Sequence, residues 1–592
     1  MKNILTKLNF SKHQTENKPQ LEIKQNFGDV FSTFSLKNKL ILVGLMAIGT
    51  ILLLAGLWSV SQNYTVTLPV GGGSVTEGEI GSPRFINPLL ATSDTDRDLS
   101  ALIYSGLLRI GPNNELIPDL AESYEISDDG LTYTFILKEN LTWHDGRKLT
   151  ARDIVFTVNR AQDNNTRSPR RANWEGVTVE QSDERTVVFK LAQPYAPFIE
   201  NLTMGILPTH LWSNTEVEAF SFSPLNTEPI GSGPYQLAGI KKDRNGIATY
   251  YDLTAFSDFA LGAPKIEHWR LKFYPNENSL ITALIKGEID SAHSITPSRM
   301  KELEQSNWQI ITVPLSRVFG VFFNQNQANL FTKKEVRQAL DVVTDRDKII
   351  EQVLSGYGLS TDSAIPDFLI NQDTNDKKDS DNKPSLEMAK TILTDNGWKE
   401  NEAGIMEKTS GSETTILKFS IATADTPELK ATAELLKQNW ELLGAEVEIK
   451  IFETGNLNQA VIRPRKYDVL LFGLVLGRQP DPFAFWHSSQ RLDPGLNIAL
   501  YANITADKIL EDLHIILDKD LRLEKINSLT KEIEQDIPAI FIYSPKFIYL
   551  APKKVRNISL EKVSDSAERF NNIHNWYMKT EKVWKIFTPQ TN

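Results

Sequence analysis

Eight histidines, His13, His144, His210, His268, His293, His487, His514 and His574, are scattered through the chain, and no two share a metal-ligand spacing such as HExxH. There is no cysteine, which removes thiolate nucleophiles, Cys-ligated zinc, iron–sulfur clusters and disulfides together. No GxSxG elbow, P-loop or GxGxxG fingerprint occurs. Carboxylates are plentiful, yet no spacing marks two of them as an acid and base pair. These residues predict a chain that binds rather than catalyses, with no cofactor and no metal. The net charge of −11, with no basic stripe beyond the first segment, argues against a nucleic-acid partner.

The elements that must position a binding site begin with an anchor. From Leu40 to Val60 the sequence LILVGLMAIGTILLLAGLWSV carries no charge, and about 20 apolar helical residues cross a hydrocarbon core. Lys2, Lys7, Lys12, Lys18, Lys24, Lys37 and Lys39 precede it against three acidic residues, so the positive-inside bias places residues 1–39 in the cytoplasm. A cleaved signal peptide has a shorter apolar region and a small-x-small site, which Leu57–Ser61 does not offer. The segment therefore reads as an uncleaved signal anchor with Trp58 at the outer interface. Residues 61–74, ending in Gly71-Gly72-Gly73-Ser74, read as a flexible tether. This predicts a single-pass protein of the cell membrane with residues 61–592 outside.

Beyond the tether, strands and helices mix without a fixed period, which points to an α/β body. Val75–Ile80 reads as a strand, Asp98–Leu108 as a helix with Leu99, Leu102, Ile103 and Leu107 on one stripe, and LTYTFILK (131–138) and TVVFKL (186–191) as antiparallel strands. SLITALIKGEID (279–290) reads as a helix stopped at Gly287, and TKKEVRQALDVV (332–343) as a helix capped by Thr332. PELKATAELLKQNWELLG (427–444) starts on Pro427 and ends at Gly444, and VEIKIF (447–452) follows as a strand. The polar run Asn371–Lys383 reads as a solvated loop. Asp145-Gly146 reads as a tight turn over Trp143, and Gly231 and Gly233 as positions that permit positive φ.

The order of several short blocks resembles the extracytoplasmic solute-binding proteins of the peptide/nickel ABC transporter family, also called cluster C. The densest block is LAESYEISDDGLTYTFILKENLTWHDGRKLTARDIVFTVNR (120–160). It is followed in the family's order by ILPTHLW (206–212), EPIGSGPYQL (228–237), GEID (287–290), KKEVRQALDVVTDRDKII (333–350) and RQPDPFAFW (478–486). The resemblance spans nearly all of residues 75–592 and implies a type II periplasmic-binding-protein fold of two main lobes, a hinge and an extra domain. It implies lobe I from residues 75–110, 226–312 and 535–592, extra domain II from 111–225, and lobe III from 313–534.

The same resemblance points to ligand contacts in the first loop, Gly81, Ser82, Pro83, Arg84 and Phe85, and in GLVLGRQPDPFAFW (473–486). In peptide-binding relatives the second segment reads close to G-W-x-A-D-Y-P-D-P, and its first Asp holds the peptide's α-ammonium group. Here Gly477 or Arg478 stands at that place, because the segment is one residue longer, and neither supplies an anion. An arginine suits a carboxylate, phosphate or sugar hydroxyl, although Arg478 facing solvent is the competing reading. Tyr104, Asn324, Asp481 and Trp486, like Arg84, read equally as packing or hinge residues, and Arg463 and Arg465 are further arginines within reach of a cleft. Relatives that bind nickel complexes make His144 and His487 conceivable contacts, but their isolation reads as structural. The implied function is that of a membrane-anchored substrate-binding subunit of an ABC importer. It takes an oligopeptide or other small polar solute, closes on it by hinge motion and delivers it to permease subunits served by a separate ATPase. The competing reading is a surface sensor or assembly protein of the same fold, for which the long cytoplasmic leader is the best support.

Overall fold

The computed structural model describes residues 34–112, 114–303, 308–370, 384–478 and 481–587. Residues 1–33, within the expected cytoplasmic leader, and the run Asn371–Lys383 lie outside them. The described residues up to Leu68, with those from Thr580, form one unit, and Pro69–Lys579 form another.

In the smaller unit, α1 (Leu36–Tyr64) has none of its described side chains buried and is long and apolar enough to cross a membrane over Leu36–Ser59. It runs directly into β1 (Thr65–Val70), which pairs with the last strand, β18 (Lys579–Trp584). The expected tether over 61–74 is thus corrected: helix and strand occupy most of it, because β1 finds a partner at the far end of the chain. Only Gly71–Gly73 separate β1 from β2 (Ser74–Ile80).

The larger unit opens with β2 and α2 (Asp94–Ile103). The sequence places this helix at 98–108, but the Ser93 hydroxyl accepts from the Asp96 amide, and Asp94 and Asp96 in the first turn face the positive end of the helix dipole. The start moves toward residue 94 accordingly, and the helix ends where Tyr104 turns extended. The strands β3 (Ala121–Ile126), β4 (Thr132–Leu137), β5 (Val177–Gln181) and β6 (Thr186–Leu191) form an antiparallel sheet in the order β3-β4-β6-β5. Register pairs Tyr133 with Phe189 and Phe135 with Val187, all buried, so the alternation seen in sequence becomes one apolar face.

A large mixed sheet follows from β7 (Tyr235–Lys242), β8 (Ala248–Ala255), β9 (His268–Tyr274), β10 (Ser291–Ala292), β11 (Trp308–Pro314) and β12 (Arg317–Phe323). After α3 (Lys334–Val342) it takes in β13 (Gly358–Ser360), β14 (Lys418–Ala424), β15 (Glu446–Phe452), β16 (Val469–Val475) and β17 (Ala539–Pro552). Its order is β15-β14-β16-β12-β17-β10-β2-β9-β8-β7, with β11 and β13 also on β17. The long strand β17 joins the lobes. Its first residues pair with β12 and pack in the core of Phe322, Phe323 and Trp440, whereas Phe547, Tyr549 and Ala551 lie in the core of Val75, Trp269 and Trp576. The α4 helix (Pro427–Leu442) packs on the first of these cores, with Thr426 accepting from the Leu429 amide and Gly444 past its end at φ +95°. Thr332 does not cap α3: its hydroxyl donates to the Asn329 carbonyl in the preceding turn, and Lys333 holds the cap position without a side-chain bond.

The glycines of GSGPY have a different role from the expected one. Neither Gly231 nor Gly233 has positive φ; both lie against the backbone where α2 ends. A Cβ on Gly233 would sit 2.6 Å from the Ile103 carbonyl carbon, and one on Gly231 would overlap the Ile103 oxygen. His144 ties the neighbouring turn to the same loop, its Nδ1 accepting from the Gly231 amide at 3.2 Å and its Nε2 donating to the Gly233 carbonyl at 3.1 Å. Burial pushes this imidazole down to about 4, which keeps Nδ1 free to accept.

Candidate functional site

A cavity of about 350 Å³ lies where three elements converge. The first is α2, which presents Arg97, Ser100 and Ala101, with Tyr104 just past its end. The second is the 3-10 segment Ser566–Asn575, which contributes Ala567, Glu568 and Asn571, with Asp565 before it. The third is the loop after β16, Gly477 and Arg478, reaching across from the other lobe. Residues between Arg170 and Gly205 close the remaining side.

Charge in this cavity is arranged in pairs. Arg478, nearly buried, bonds to the Glu568 carboxylate at 2.5 Å and donates to Asn114 Oδ1 at 2.7 Å, which bridges the lobes. Burial raises Glu568, Arg478 opposes that and Asp565 adds to it, leaving the carboxyl at about 7. Arg109 is held by Asp119 at 2.8 Å and by the Asn571 carbonyl at 2.9 Å. Arg97 pairs with Asp94 at 2.5 Å and stands 3.8 Å from Asp565, while Arg170 lines the cavity with its side chain exposed. A solute entering here meets guanidinium and carboxylate groups beside the apolar faces of Tyr104, Trp174 and Met204, the mixture expected of a site that orients a polar ligand.

A second long-range contact joins Tyr195 to the segment before Phe483. The Tyr195 hydroxyl donates to Asp481 Oδ2 at 3.1 Å, and His514 stands 3.3 Å from Asp481 Oδ1. Burial would raise the Asp481 carboxyl, but His514, the Phe483 amide and Tyr195 hold it below the usual carboxylate range. His487 stacks on Phe483 at 4.2 Å, and His514 lies tilted against the same ring at 4.2 Å.

Two of the elements that line the cavity, α2 and the 3-10 segment, are pinned together by buried charge. Arg569 is wholly buried and bonds to Glu77 and Glu79 at 2.8 Å, to Asp98 at 2.6 Å and to the Ser566 carbonyl at 2.6 Å. His293 Nε2 lies 3.0 Å from both Glu79 and Asp98. Burial and Arg569 push His293 down, but Glu79 and Asp98 outweigh them and hold it up at about 10. Burial, with Asp98 beside it, raises Glu79 to about 8. Glu77, Glu79 and His293 form a group whose ligand atoms lie within 4.8 Å of one another, and the cations that meet these carboxylates are the Arg569 guanidinium and the His293 imidazolium.

The model of the bacterial extracellular solute-binding proteins, family 5, matches residues 115–493. The chain belongs to this family. Over 557 residues it is 29% identical to the oligopeptide-binding protein AppA of Bacillus subtilis, covering 92% of this chain and 99% of that one. The dipeptide-binding protein of Escherichia coli is 27% identical, over 81% of this chain and 90% of its own. Among solved structures, the ABC transporter substrate-binding protein CtaP of Listeria monocytogenes superposes with a TM-score of 0.72 at 27% identity, covering 86% of this chain and 99% of that one. The fold is that of the type II periplasmic binding proteins, and the protein is a substrate-binding subunit rather than an enzyme.

Within this binding protein, Tyr104, Gly477 and Arg478 line the cavity, and Arg478 is turned inward on Glu568 instead of facing solvent. Gly81–Phe85 lie outside the lining. Gly81 donates to the Tyr274 carbonyl, the Ser82 hydroxyl donates to the Ala248 carbonyl, Pro83 is buried, and the amides of Arg84 and Phe85 bond to Asp96 at 2.7 and 2.8 Å. Asn324 holds a turn through the amides of Asn326 and Gln327, and Trp486 packs in the lobe core against Phe322 and Phe541. Arg463 is exposed and paired with Asp493, Arg465 binds loop carbonyls, and Asp481 serves the Tyr195 contact. Sequence reasoning missed Arg97, Arg170, Asp565 and Glu568. Nothing local marks them, since Glu568 meets Arg478 only across 90 residues.

Proposed function

We propose that this chain is the membrane-anchored, outward-facing substrate-binding subunit of an ABC importer, and that it captures a short peptide or a polar solute of similar size. α1 would hold it at the membrane, and the cavity between the lobes would take the ligand before delivery to permease subunits. The observation that carries this reading is the lobe-bridging Arg478–Glu568 pair at the wall of a cavity of about 350 Å³, within the range of small-ligand pockets. Closure that brings charged groups of both lobes onto one volume is what a hinge-bending receptor needs. The names of the relatives, an oligopeptide-binding protein and a dipeptide-binding protein, favour a peptide. Because Gly477 or Arg478 stands where an acidic anchor is expected, this loop offers no anion to a ligand's ammonium, and Arg478 would meet a ligand carboxylate by exchanging it for Glu568.

Native mass spectrometry of the full chain, purified in detergent from its own cells, followed by thermal-shift titration with whatever co-purifies, tests this. A bound peptide or solute that raises the melting temperature with concentration supports the receptor. An empty cavity that no peptide, sugar or metal-chelate pool stabilises would count against it.

A further inference from the structure

The ribbon of β1 and β18 places a basic, aromatic segment at the foot of α1. The strands run antiparallel: a Cβ on Gly72 would touch the Lys579 side chain and one on Gly73 would touch Met578, so moving back along β1 is moving forward along β18. The end of β18 therefore lies beside Thr65, directly after α1. Here Trp584 is 46% exposed and Ile586 81% exposed, and exposed Lys582 and Lys585 flank Trp584. Buried surface elsewhere absorbs most tryptophans of this protein, including Trp143, Trp174, Trp212 and Trp269, so an open indole is an exception.

The height fits a lipid surface. From Leu40 to Val60, at 1.5 Å per residue, α1 spans about 31 Å, which matches the roughly 30 Å hydrocarbon core. The last helical turn, to Tyr64, adds about 6 Å, which carries β1 to the headgroup layer of roughly 5–7 Å on each side. Indole and aliphatic side chains with lysines are the residue types that partition into this layer, the lysines pairing with anionic headgroups.

We infer that the end of β18, through Trp584, Ile586, Lys582 and Lys585, is a second membrane contact that lies in the headgroup layer of an anionic bilayer beside α1. This rests on α1 spanning the membrane. The contact makes the junction a two-strand foot on the surface instead of a free tether.

The cysteine-free chain permits a direct test. Single substitutions Ile586→Cys, Trp58→Cys and Ile416→Cys carry a nitroxide in the full chain, reconstituted into nanodiscs of phosphatidylcholine and phosphatidylglycerol. Collision with oxygen, which concentrates in lipid, is compared with collision with a water-soluble nickel chelate. The expected result is lipid-like accessibility at 58 and 586 and water-like accessibility at 416, on the exposed hairpin strand Glu413–Ile416. Lipid-like accessibility at 58 with water-like accessibility at 586 overturns the second contact and leaves the anchor standing. Water-like accessibility at 58 removes the anchor and the contact with it. Ile586 is exposed enough that its replacement leaves the fold intact.

Discussion

Replacing Arg569 by leucine tests whether buried charge holds the wall of the cavity. The guanidinium satisfies Glu77, Glu79 and Asp98 at 2.6–2.8 Å, and no part of it reaches solvent. At neutral pH Glu79 is protonated, its carboxyl being raised to about 8, so the variant leaves Glu77 and Asp98 buried against the His293 cation alone. Removing one partner of a buried ion pair costs about 3–5 kcal/mol. Unfolding entropy of about 2.1 cal/mol/K per residue gives about 1 kcal/mol/K for the larger unit, so Arg569→Leu is expected to lower the melting temperature by about 3–5 °C in calorimetry. The ligand should also bind more weakly, because α2 and the 3-10 segment that Arg569 joins carry Arg97 and Glu568. The deciding measurement is rescue: Arg569→Leu with Glu77→Gln and Asp98→Asn should recover most of the lost stability, since the cost lies in unpaired charge rather than lost volume. A triple variant no more stable than the single one would refute the electrostatic account and leave packing as the cause.

Stability should fall as pH rises from neutral to about 10. His293 is held at about 10 in the fold against an ordinary 6.5, so its contribution is whole below about 6.5 and drains away toward 10; Glu79, raised from 4.5 to about 8, moves the same way over its own range. His293→Gln should flatten the upper part of a melting-temperature profile, and an unchanged slope would contradict the assignment. Arg478→Ala should open the ligand-free protein, because truncating a buried interlobe pair costs about 2–5 kcal/mol; small-angle scattering showing an unchanged radius of gyration would exclude Arg478 as a closure contact. Gly231→Ala should reduce the yield of folded protein or cost about 3 kcal/mol or more, as its Cβ would overlap the Ile103 carbonyl; a variant as stable as the parent would mean that the approach of this loop to the end of α2 is slack.

Much of the local structure was legible because neighbours along the chain decide it. The charge-free run of α1, the alternation of Tyr133 and Phe135, and the Pro427 start and Gly444 end of α4 each follow from side chains within a few positions. The family was legible for the same reason, since its blocks are short and contiguous. Where a residue's role depends on a distant partner, the reading failed: the GSGPY glycines serve close packing on Ile103 rather than positive φ, and residues 65–70 form a strand because β18 pairs with them. The site itself belongs to this second class. Arg478 meets Asn114 across 364 residues and Arg569 meets Glu77 across 492. The sequence by itself determined that this is an α/β binding protein without catalytic motifs, preceded by one helix long and apolar enough to cross a membrane, because composition and short-range period carry that information. Only the tertiary structure decided which arginines are paired and which face the cavity, because charge is neutralised through space at about 3 Å and not along the chain.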